Sequence, residues 1–117
     1  MEVHAIQKNI PMSPQKMREV ARQIQGLSAE QAQAVLAVVP RKSARVIAKT
    51  LKSARANAED LKQNNKDYRE LKIEKLYIKE AAAQTAARHK RFTPKARGSA
   101  GPIIKRRSHI KIILADE

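Results

Sequence analysis

The residues best suited to chemistry lie near position 95, where cations are dense and carboxylates are absent. Five cations fall within ten residues, and an aromatic ring and two turn-forming residues stand among them: Arg88, Lys90, Arg91, Lys95 and Arg97, with Phe92, Pro94 and Gly98. Lysine and arginine at this density contact phosphate oxygens without reading base sequence, and their affinity comes from released counterions. The segment therefore predicts a surface that binds a polyanion.

Patterns typical of catalysis or metal binding are missing from the sequence. His4, His89 and His109 show no ligand spacing, and the chain has no cysteine. The carboxylates near residues 60 and 70 are typical of a solvated face or of helix-end charges, not of a general acid and base. We expect no enzyme activity, no cofactor and no metal. His89 and His109 suit hydrogen bonds to a phosphate or a base edge.

The charge balance indicates the same class of partner. The 117 residues carry 25 Lys and Arg against 11 Asp and Glu, a net charge of +14, and residues 81–115 hold nine cations and no carboxylate. A chain with this charge repels itself unless a polyanion neutralises it. With 2 Tyr and 1 Phe, it has too few aromatic rings to stack successive bases of a single strand. We expect folded RNA recognised by shape and backbone, or duplex DNA bound without sequence preference.

Apolar residues at helical spacing predict two short helices before residue 41. The first begins at Ser13-Pro14 and ends at Gly26, and the second begins at Ser28 and ends at Pro40. Their apolar stripes are Met17, Val20, Ala21 and Ile24 in the first helix and Ala32, Val35, Leu36 and Val39 in the second. Each helix should bury this face in a core.

A third, longer helix is predicted from about Arg41 to Leu61. Its apolar stripe consists of Ile47, Leu51, Ala54, Ala58 and Leu61. A second stripe, about 150° away at 100° per residue, consists of Arg41, Arg45, Lys49, Lys52 and Arg55. One face of this helix should therefore pack, and the other should meet the polyanion.

Period-two alternation predicts the strands. Leu71 to Ile78 alternates with a change of parity near Glu74-Lys75, which is typical of a bulged strand. Ile104 to Leu114 forms a second strand, and Val3 to Ile6 supplies a weaker third. The expected fold class is α+β, with three helices packed on a small three-stranded antiparallel sheet and a long projecting β-hairpin.

Residues 81–101 contain one large apolar residue, Phe92, and cannot bury a core of their own. If this segment joins the two long strands as a hairpin, arms of about 14 residues span ~45 Å, which exceeds the width of the globular part. We expect one domain over residues 1–117. Its globular core should comprise residues 1–80 and 102–117, and its hairpin arm about 81–101.

Several segments together resemble one known family. They are Ser13-Pro-Gln-Lys-Met-Arg-Glu-Val20, Pro40-Arg-Lys-Ser-Ala44, Leu51-Lys-Ser-Ala-Arg-Ala-Asn-Ala-Glu59, Pro94-Lys-Ala-Arg-Gly98 and Ile104-Lys-Arg-Arg-Ser-His-Ile110. In this order, over nearly the whole chain, they closely resemble bacterial large-subunit ribosomal protein twenty-two. The resemblance implies an α+β core with a very long β-hairpin, binding to large-subunit (23S-type) rRNA, and a hairpin tip that lines the nascent-polypeptide exit tunnel.

The resemblance also implies which residues meet these partners. The expected tunnel-lining tip comprises Arg88, His89, Lys90, Arg91, Phe92, Pro94, Lys95, Arg97 and Gly98. Together with the basic helix face, the resemblance indicates rRNA contacts at Lys8, Lys16, Arg18, Arg22, Arg41, Lys42, Arg45, Lys49, Lys52, Lys105, Arg106, Arg107, Ser108 and His109. The sequence departs from the family pattern at residues 81–87, where an alanine-rich stretch replaces the usual Gly-Pro, and alanine favours helix over strand.

We therefore expect a structural constituent of the large ribosomal subunit that supports assembly and translation in the cytoplasm. Its expected partners are large-subunit rRNA, neighbouring large-subunit proteins and the nascent polypeptide, and it should be a monomer off the ribosome. A nucleoid-type DNA binder is the alternative, which would be a dimer with symmetry-related basic arms.

A cationic membrane-active protein is a more distant alternative. It requires a basic amphipathic helix with bulky apolar residues, whereas the third helix has alanine at part of its apolar stripe. The longest apolar run, Ala34 to Val39, is six residues, against the ~20 that a membrane span needs. The residues after Met1 show no apolar signal core. We expect no membrane partner.

Overall fold

Three helices pack on a three-stranded antiparallel sheet, and a two-stranded hairpin extends beyond it. A computed structural model describes residues 1–116. The strands are β1 (Glu2–Ile10), β2 (Tyr77–Thr85), β3 (His89–Pro94), β4 (Ala100–Lys105) and β5 (Ser108–Ala115), and the helices are α1 (Pro14–Ile24), α2 (Ala29–Val38) and α3 (Lys42–Asn64). The predicted α+β class is confirmed. The molecule measures 67 × 28 × 16 Å along its principal axes.

The core sheet has the strand order β1-β5-β2 and is joined to a hairpin formed by β3 and β4. Ser108 marks the hairpin end of β5, and Ala115 marks the far end, where Glu2 and Tyr77 lie opposite it. Fully buried side chains alternate along β5 at Ile110, Ile112 and Leu114. This alternation is the one predicted from the sequence.

The helices begin and end close to the predicted caps. The Ser13 hydroxyl accepts a hydrogen bond from the Lys16 N–H at 3.5 Å, and the Ser28 hydroxyl accepts one from the Gln31 N–H at 3.3 Å. Gly26, just beyond α1, has a φ of 82°, a conformation that favours glycine. The predicted apolar stripes face the core, where all their members are buried except the half-buried Val35, Val39 and Leu61.

Side chains of the helices bond to the backbone of both outer strands. On β2, Gln25 donates to the Ala81 carbonyl at 2.7 Å and Arg18 donates to the Ala83 carbonyl at 3.1 Å. Residues 26–28 add a short antiparallel bridge to β2. On β1, the Asn57 amide donates to the His4 carbonyl at 3.2 Å. These bonds occupy backbone groups through which an outer strand could pair with another chain.

The predicted strand from Leu71 to Ile78 is wrong over its first half. Ile73–Lys75 form a 3-10 turn, and β2 begins at Tyr77. Leu71 and Leu76 are both buried, and the turn between them explains the change of parity that suggested a bulge there. The irregularity in β2 lies instead between Ile78 and Glu80.

The alanine-rich segment continues β2 as a strand, despite the preference of alanine for helix. Residues 81–85 pair with β5, and Ala81 and Ala83 are buried in the core. Their small side chains allow α1 to lie close to the sheet, where Gln25 and Arg18 reach the backbone. The core sheet therefore extends to Thr85, past the expected start of the arm at residue 81.

The second predicted strand is interrupted at Arg106 and Arg107, which lie between β4 and β5. The Arg107 carbonyl accepts a hydrogen bond from the Ala86 N–H at 3.0 Å, so the two chain segments remain joined where the core passes into the hairpin. The period-two alternation of side chains that was predicted from Ile104 to Leu114 is therefore interrupted at this break.

Candidate nucleic-acid interface

Five of the predicted RNA-contacting cations meet in one groove where the hairpin leaves the core. They are Lys16 in the first turn of α1, Lys42 at the start of α3, and Lys105, Arg106 and Arg107 at and just beyond the end of β4. The other lining residues are Ser13 and the apolar Pro11, Met12 and Ile104. No carboxylate lies among these nine described residues, and the groove has a volume of about 490 Å³. We call it the junction groove, and its charge suits phosphate.

A second basic surface follows α3. Arg41, Lys42, Arg45, Lys49 and Lys52 are exposed, as the helical spacing predicts. Arg41 forms an ion pair with Glu19, and the half-buried Arg55 donates to the Gln33 side chain at 2.7 Å. Arg45, Lys49 and Lys52 form no ion pair within residues 1–116, so they carry the available charge of this surface.

The predicted contacts on β1 and α1 have different surroundings. Lys8 and Arg22 are exposed. Arg18 is exposed as a residue, but its Nε donates to the Ala83 carbonyl on β2. Arg18 therefore has a structural role in attaching α1 to the sheet, whether or not it also meets a partner.

Ser108, which was predicted to contact RNA, is buried in this fold, so its side chain does not lie on the surface. The residue is fully buried, and its Oγ has no hydrogen-bond partner among the described residues. The reason is the register of β5, since Ser108 lies two residues before Ile110 and shares its core-facing side.

His109 and Arg107 together fix an irregularity in β1. The register with β5 shifts between Gln7 and Ile10, and Asn9 adopts a left-handed conformation with φ of 57°. The Asn9 N–H donates to His109 Nδ1 at 3.1 Å, and Arg107 donates to the Asn9 carbonyl at 3.2 Å. Because Nδ1 accepts, the neutral His109 ring carries its proton on Nε2, and this nitrogen is the one able to donate.

The hairpin tip is a tight turn between β3 and β4. Arg97 and Gly98 have φ values of 60° and 75°, and the Lys95 N–H donates to the Ser99 carbonyl. The side chain of Lys95 lies over Gly101, where an added Cβ would come within 2.9 Å of Lys95 Cγ. Glycine at this position lets Lys95 fold back across the hairpin, while Arg97 stays exposed at the end.

Strand register gives the hairpin two unlike faces. Cross-strand pairs such as Phe92 with Pro102 share a face, and so do side chains two residues apart. One face carries Lys90, Phe92, Pro94, Pro102 and Ile104, and the other carries His89, Arg91, Ile103 and Lys105. Phe92 is 75% exposed, so the mainly apolar face is open to a partner.

Carboxylates with altered pKa values lie at the other end of the sheet, near Ala115. A hydrogen bond from Lys79 lowers the pKa of the Glu2 carboxyl and raises that of the Lys79 ammonium. Burial raises the pKa of Asp116, but hydrogen bonds from the Met1 ammonium at 3.1 Å and the Lys72 N–H at 3.2 Å outweigh it, so the net pKa is lowered. Each of these two carboxylates is thus paired with a cation, Glu2 with Lys79 and Asp116 with the Met1 ammonium.

Within residues 1–116, histidine and carboxylate side chains nowhere gather in a group of three or more that could hold a metal ion. The three histidines lie on different strands, His4 on β1, His89 on β3 and His109 on β5. The interface is thus built from cations and apolar side chains.

Sequence reasoning missed four residues that contribute to this interface. Pro11 and Met12 line the junction groove, although neither carries charge or a motif. Glu19 neutralises Arg41 across 22 residues of sequence. Asn9 gave a weak signal, because asparagine adopts the left-handed conformation more readily than most residues.

The chain is similar to known proteins along nearly its whole length. A family model described as Ribosomal protein L22p/L17e matches residues 5–115. The Large ribosomal subunit protein uL22 of Akkermansia muciniphila is 47% identical over 117 residues, covering 100% of this chain and 98% of that protein. Its namesake in Opitutus terrae is 48% identical over 116 residues, 99% of this chain and 96% of that protein, and the one in Clostridioides difficile is 39% identical over 117 residues, 100% and 99%. The chain therefore belongs to the Ribosomal protein L22p/L17e family and is a structural, non-enzymatic constituent of the large ribosomal subunit.

Proposed function

We propose that the protein binds large-subunit rRNA through the junction groove and the exposed cations of α3, and that its hairpin tip lines the nascent-polypeptide exit tunnel. Family membership already implies rRNA and ribosomal proteins as its neighbours, in the cytoplasmic ribosome of bacteria. The junction groove carries the proposal for RNA. It gathers Lys16, Lys42 and Lys105 from distant parts of the sequence around one concavity.

A folded RNA is the partner that this arrangement fits. The cations are held at fixed positions on two helices and a strand end, so they can match a backbone of defined shape. A disordered polyanion would require only charge density. The basic surface continues from the groove onto α3, because Lys42 lines the groove and Arg45 and Lys49 follow along the helix.

Two features support a tunnel role for the hairpin tip, namely the length of the hairpin and the exposure of its side chains. The hairpin spans residues 89–105 and contributes to a molecule 67 Å long but 28 by 16 Å across. Its side chains from His89 to Phe92 and from Pro94 to Ala100 are exposed, and the family resemblance implies a tunnel-lining tip. We infer that a nascent polypeptide passes the open residues of the hairpin.

We also infer that the free protein is a monomer. Both outer strands of the core sheet already receive hydrogen bonds from the helices, at His4 on β1 and at Ala81 and Ala83 on β2. Sheet-to-sheet dimerisation would have to break these bonds. Sedimentation of the free protein should give one monomeric species, and a stable dimer would favour the DNA-binding alternative.

None of the helices among the described residues combines the length and the apolar character that a membrane span requires.

The RNA assignment is tested by crosslinking in cells. A photoreactive residue at Lys49 or at Arg106 should attach to large-subunit rRNA, and sequencing of the bound nucleic acid should return reads from that molecule. A photoreactive residue at Ile113, on the far part of β5, serves as the matched control. Recovery of chromosomal DNA, or of RNA with no preference for large-subunit rRNA, would contradict the proposal.

The tunnel assignment is tested by shortening the hairpin. Replacing residues 91–103 with Asn-Gly closes the hairpin at the paired Lys90 and Ile104 with a favoured two-residue turn. The core and the junction groove remain, so the variant should still enter large subunits. Arrest of nascent chains that sense the tunnel wall should change. Unaltered arrest with normal incorporation would make the hairpin an assembly anchor only.

A further inference from the structure

We propose that the junction groove receives one unpaired nucleotide of the RNA, with its phosphate held by the rim cations and its base laid on the apolar floor. The inference rests on the proposed function and adds to it the kind of RNA feature that is recognised. It is carried by two kinds of residue that line one concavity: cations such as Lys16 and Lys105, here called the rim, and apolar residues such as Met12 and Ile104, here called the floor.

The floor is the feature that phosphate binding alone does not explain. Three apolar residues line the groove: Ile104 is 41% exposed, Met12 is half-buried and Pro11 is exposed. A phosphate gains nothing from apolar surface. A fully paired A-form helix offers phosphates and 2′-hydroxyls, with its bases stacked inside, whereas an extruded base offers a flat apolar face.

The floor is also held in place. Pro11 and Met12 lie in a turn in which the Met12 N–H donates to the Ile10 carbonyl at 2.8 Å, directly before the Ser13 cap of α1. Ile104 is fixed by its pairing with Lys90 in the hairpin. A volume of about 490 Å³ lies within the roughly 300–1,000 Å³ typical of clefts that hold small ligands, so a nucleotide fits.

An acidic peptide with an apolar side chain is the competing occupant, because it matches the same charge and floor. RNA is favoured over the peptide because the junction groove is continuous with the basic surface of α3. Lys42 lines both the junction groove and the neighbouring groove that contains Arg41 and Arg45, so the site is one end of the surface proposed to follow rRNA.

The contributions of the floor and the rim to RNA affinity are separated by how that affinity depends on salt. Binding of a large-subunit rRNA transcript is measured at several salt concentrations for the unsubstituted protein and for Lys16→Gln, Ile104→Ser and Met12→Ser. Lys16→Gln should lower the slope of log affinity against log salt by about 0.7–0.9. Ile104→Ser and Met12→Ser should weaken binding about three- to tenfold with the slope unchanged. Ile113→Ser is the matched control, since Ile113 is half-buried like Met12, lies outside the core cluster and does not line this groove.

Competition with short RNAs identifies the occupant. A duplex with one bulged nucleotide should displace the transcript at a concentration at least about fivefold below that of the same duplex fully paired, and Ile104→Ser should abolish this preference. Ile104 is outside the core cluster, so this variant remains informative if Met12→Ser fails to fold. Equal competition by both duplexes, a preference that survives Ile104→Ser, or stronger competition by a glutamate-leucine peptide would overturn the groove assignment alone. No salt-dependent binding of the transcript by the unsubstituted protein would overturn the proposed function as well.

Discussion

The backbone N–H of Asn9 donates to Nδ1 of His109 at 3.1 Å, across β1 and β5 at the end nearest the hairpin. Arg107 bonds to the carbonyl of the same asparagine, so both backbone groups of this left-handed residue are held by side chains from the start of β5 and the residue before it. Arg107 also lines the junction groove. The bulge in β1 thereby fixes one wall of the groove to the core.

The bulge provides a first test of stability. Asn9→Val should lower the free energy of unfolding by about 1–3 kcal/mol, because a β-branched residue is strained at a φ of 57°. Asn9→Gly should leave it within about 0.5 kcal/mol, since glycine adopts this conformation freely. Urea denaturation measures both. Equal destabilisation by the two substitutions would mean that the asparagine side chain, and not its backbone conformation, stabilises the bulge.

The core and the hairpin should differ sharply in their sensitivity to truncation. Leu51 is 1% exposed and Phe92 is 75% exposed. Leu51→Ala should cost roughly 2–4 kcal/mol through the cavity it leaves, whereas Phe92→Ala should cost little. Thermal unfolding of the free protein compares them. A similar shift in melting temperature for both variants would show that the hairpin face is packed in the free protein.

Ser108→Ala tests whether the buried Ser108 takes part in RNA binding. The hydroxyl is buried and has no hydrogen-bond partner among the described residues, so its removal should leave stability unchanged or raise it by about 1 kcal/mol. Affinity for the rRNA transcript should not change. A loss of affinity with normal stability would show that Ser108 becomes accessible and touches RNA.

Asp116 gives the fold a defined pH dependence. Its pKa is lower in the folded state than the ordinary carboxyl value, so its contribution is fully present above pH ~4 and is lost as pH falls through the lower folded value. Asp116→Asn should therefore destabilise the protein at pH 7, and the difference in unfolding free energy between variant and parent should shrink toward pH 2. Glu59→Gln, an exposed change on α3, is the control. A difference that stays constant with pH would exclude this carboxylate as the cause.

Regular patterns made the helices and the central strand predictable. Met17, Ile47 and Ile112 each belong to a row of apolar residues that recurs at the period of its helix or strand. Serines mark the starts of α1 and α2, and a glycine marks the end of α1. The strand patterns also predicted the hairpin. The resemblance of the longer motifs indicated its partner, which charge and composition alone left open between RNA and DNA.

The remaining features depend on contacts between distant residues. The alanines of β2 form a strand because Arg18 and Gln25 bond to them and β5 pairs with them, and a local propensity contains neither contact. Met12 lines the junction groove because the fold brings it near the end of β4, at Ile104 and Lys105. Ser108 is buried because it lies on the core-facing side of β5, whereas the neighbouring Arg106 and Arg107 lie between the strands β4 and β5.

The central claim is that a fixed set of cations binds the phosphate backbone of large-subunit rRNA, and salt titration tests it most directly. If at least six phosphates are engaged, affinity for the rRNA transcript should fall ~10³-fold or more between 50 and 200 mM salt. The triple variant Arg45→Gln, Lys49→Gln, Lys52→Gln should bind more weakly and lower the slope by roughly 2–3 while remaining folded, because these side chains are exposed. A change of less than about tenfold over this range for the unsubstituted protein, or a slope that the triple variant leaves intact, would contradict the claim.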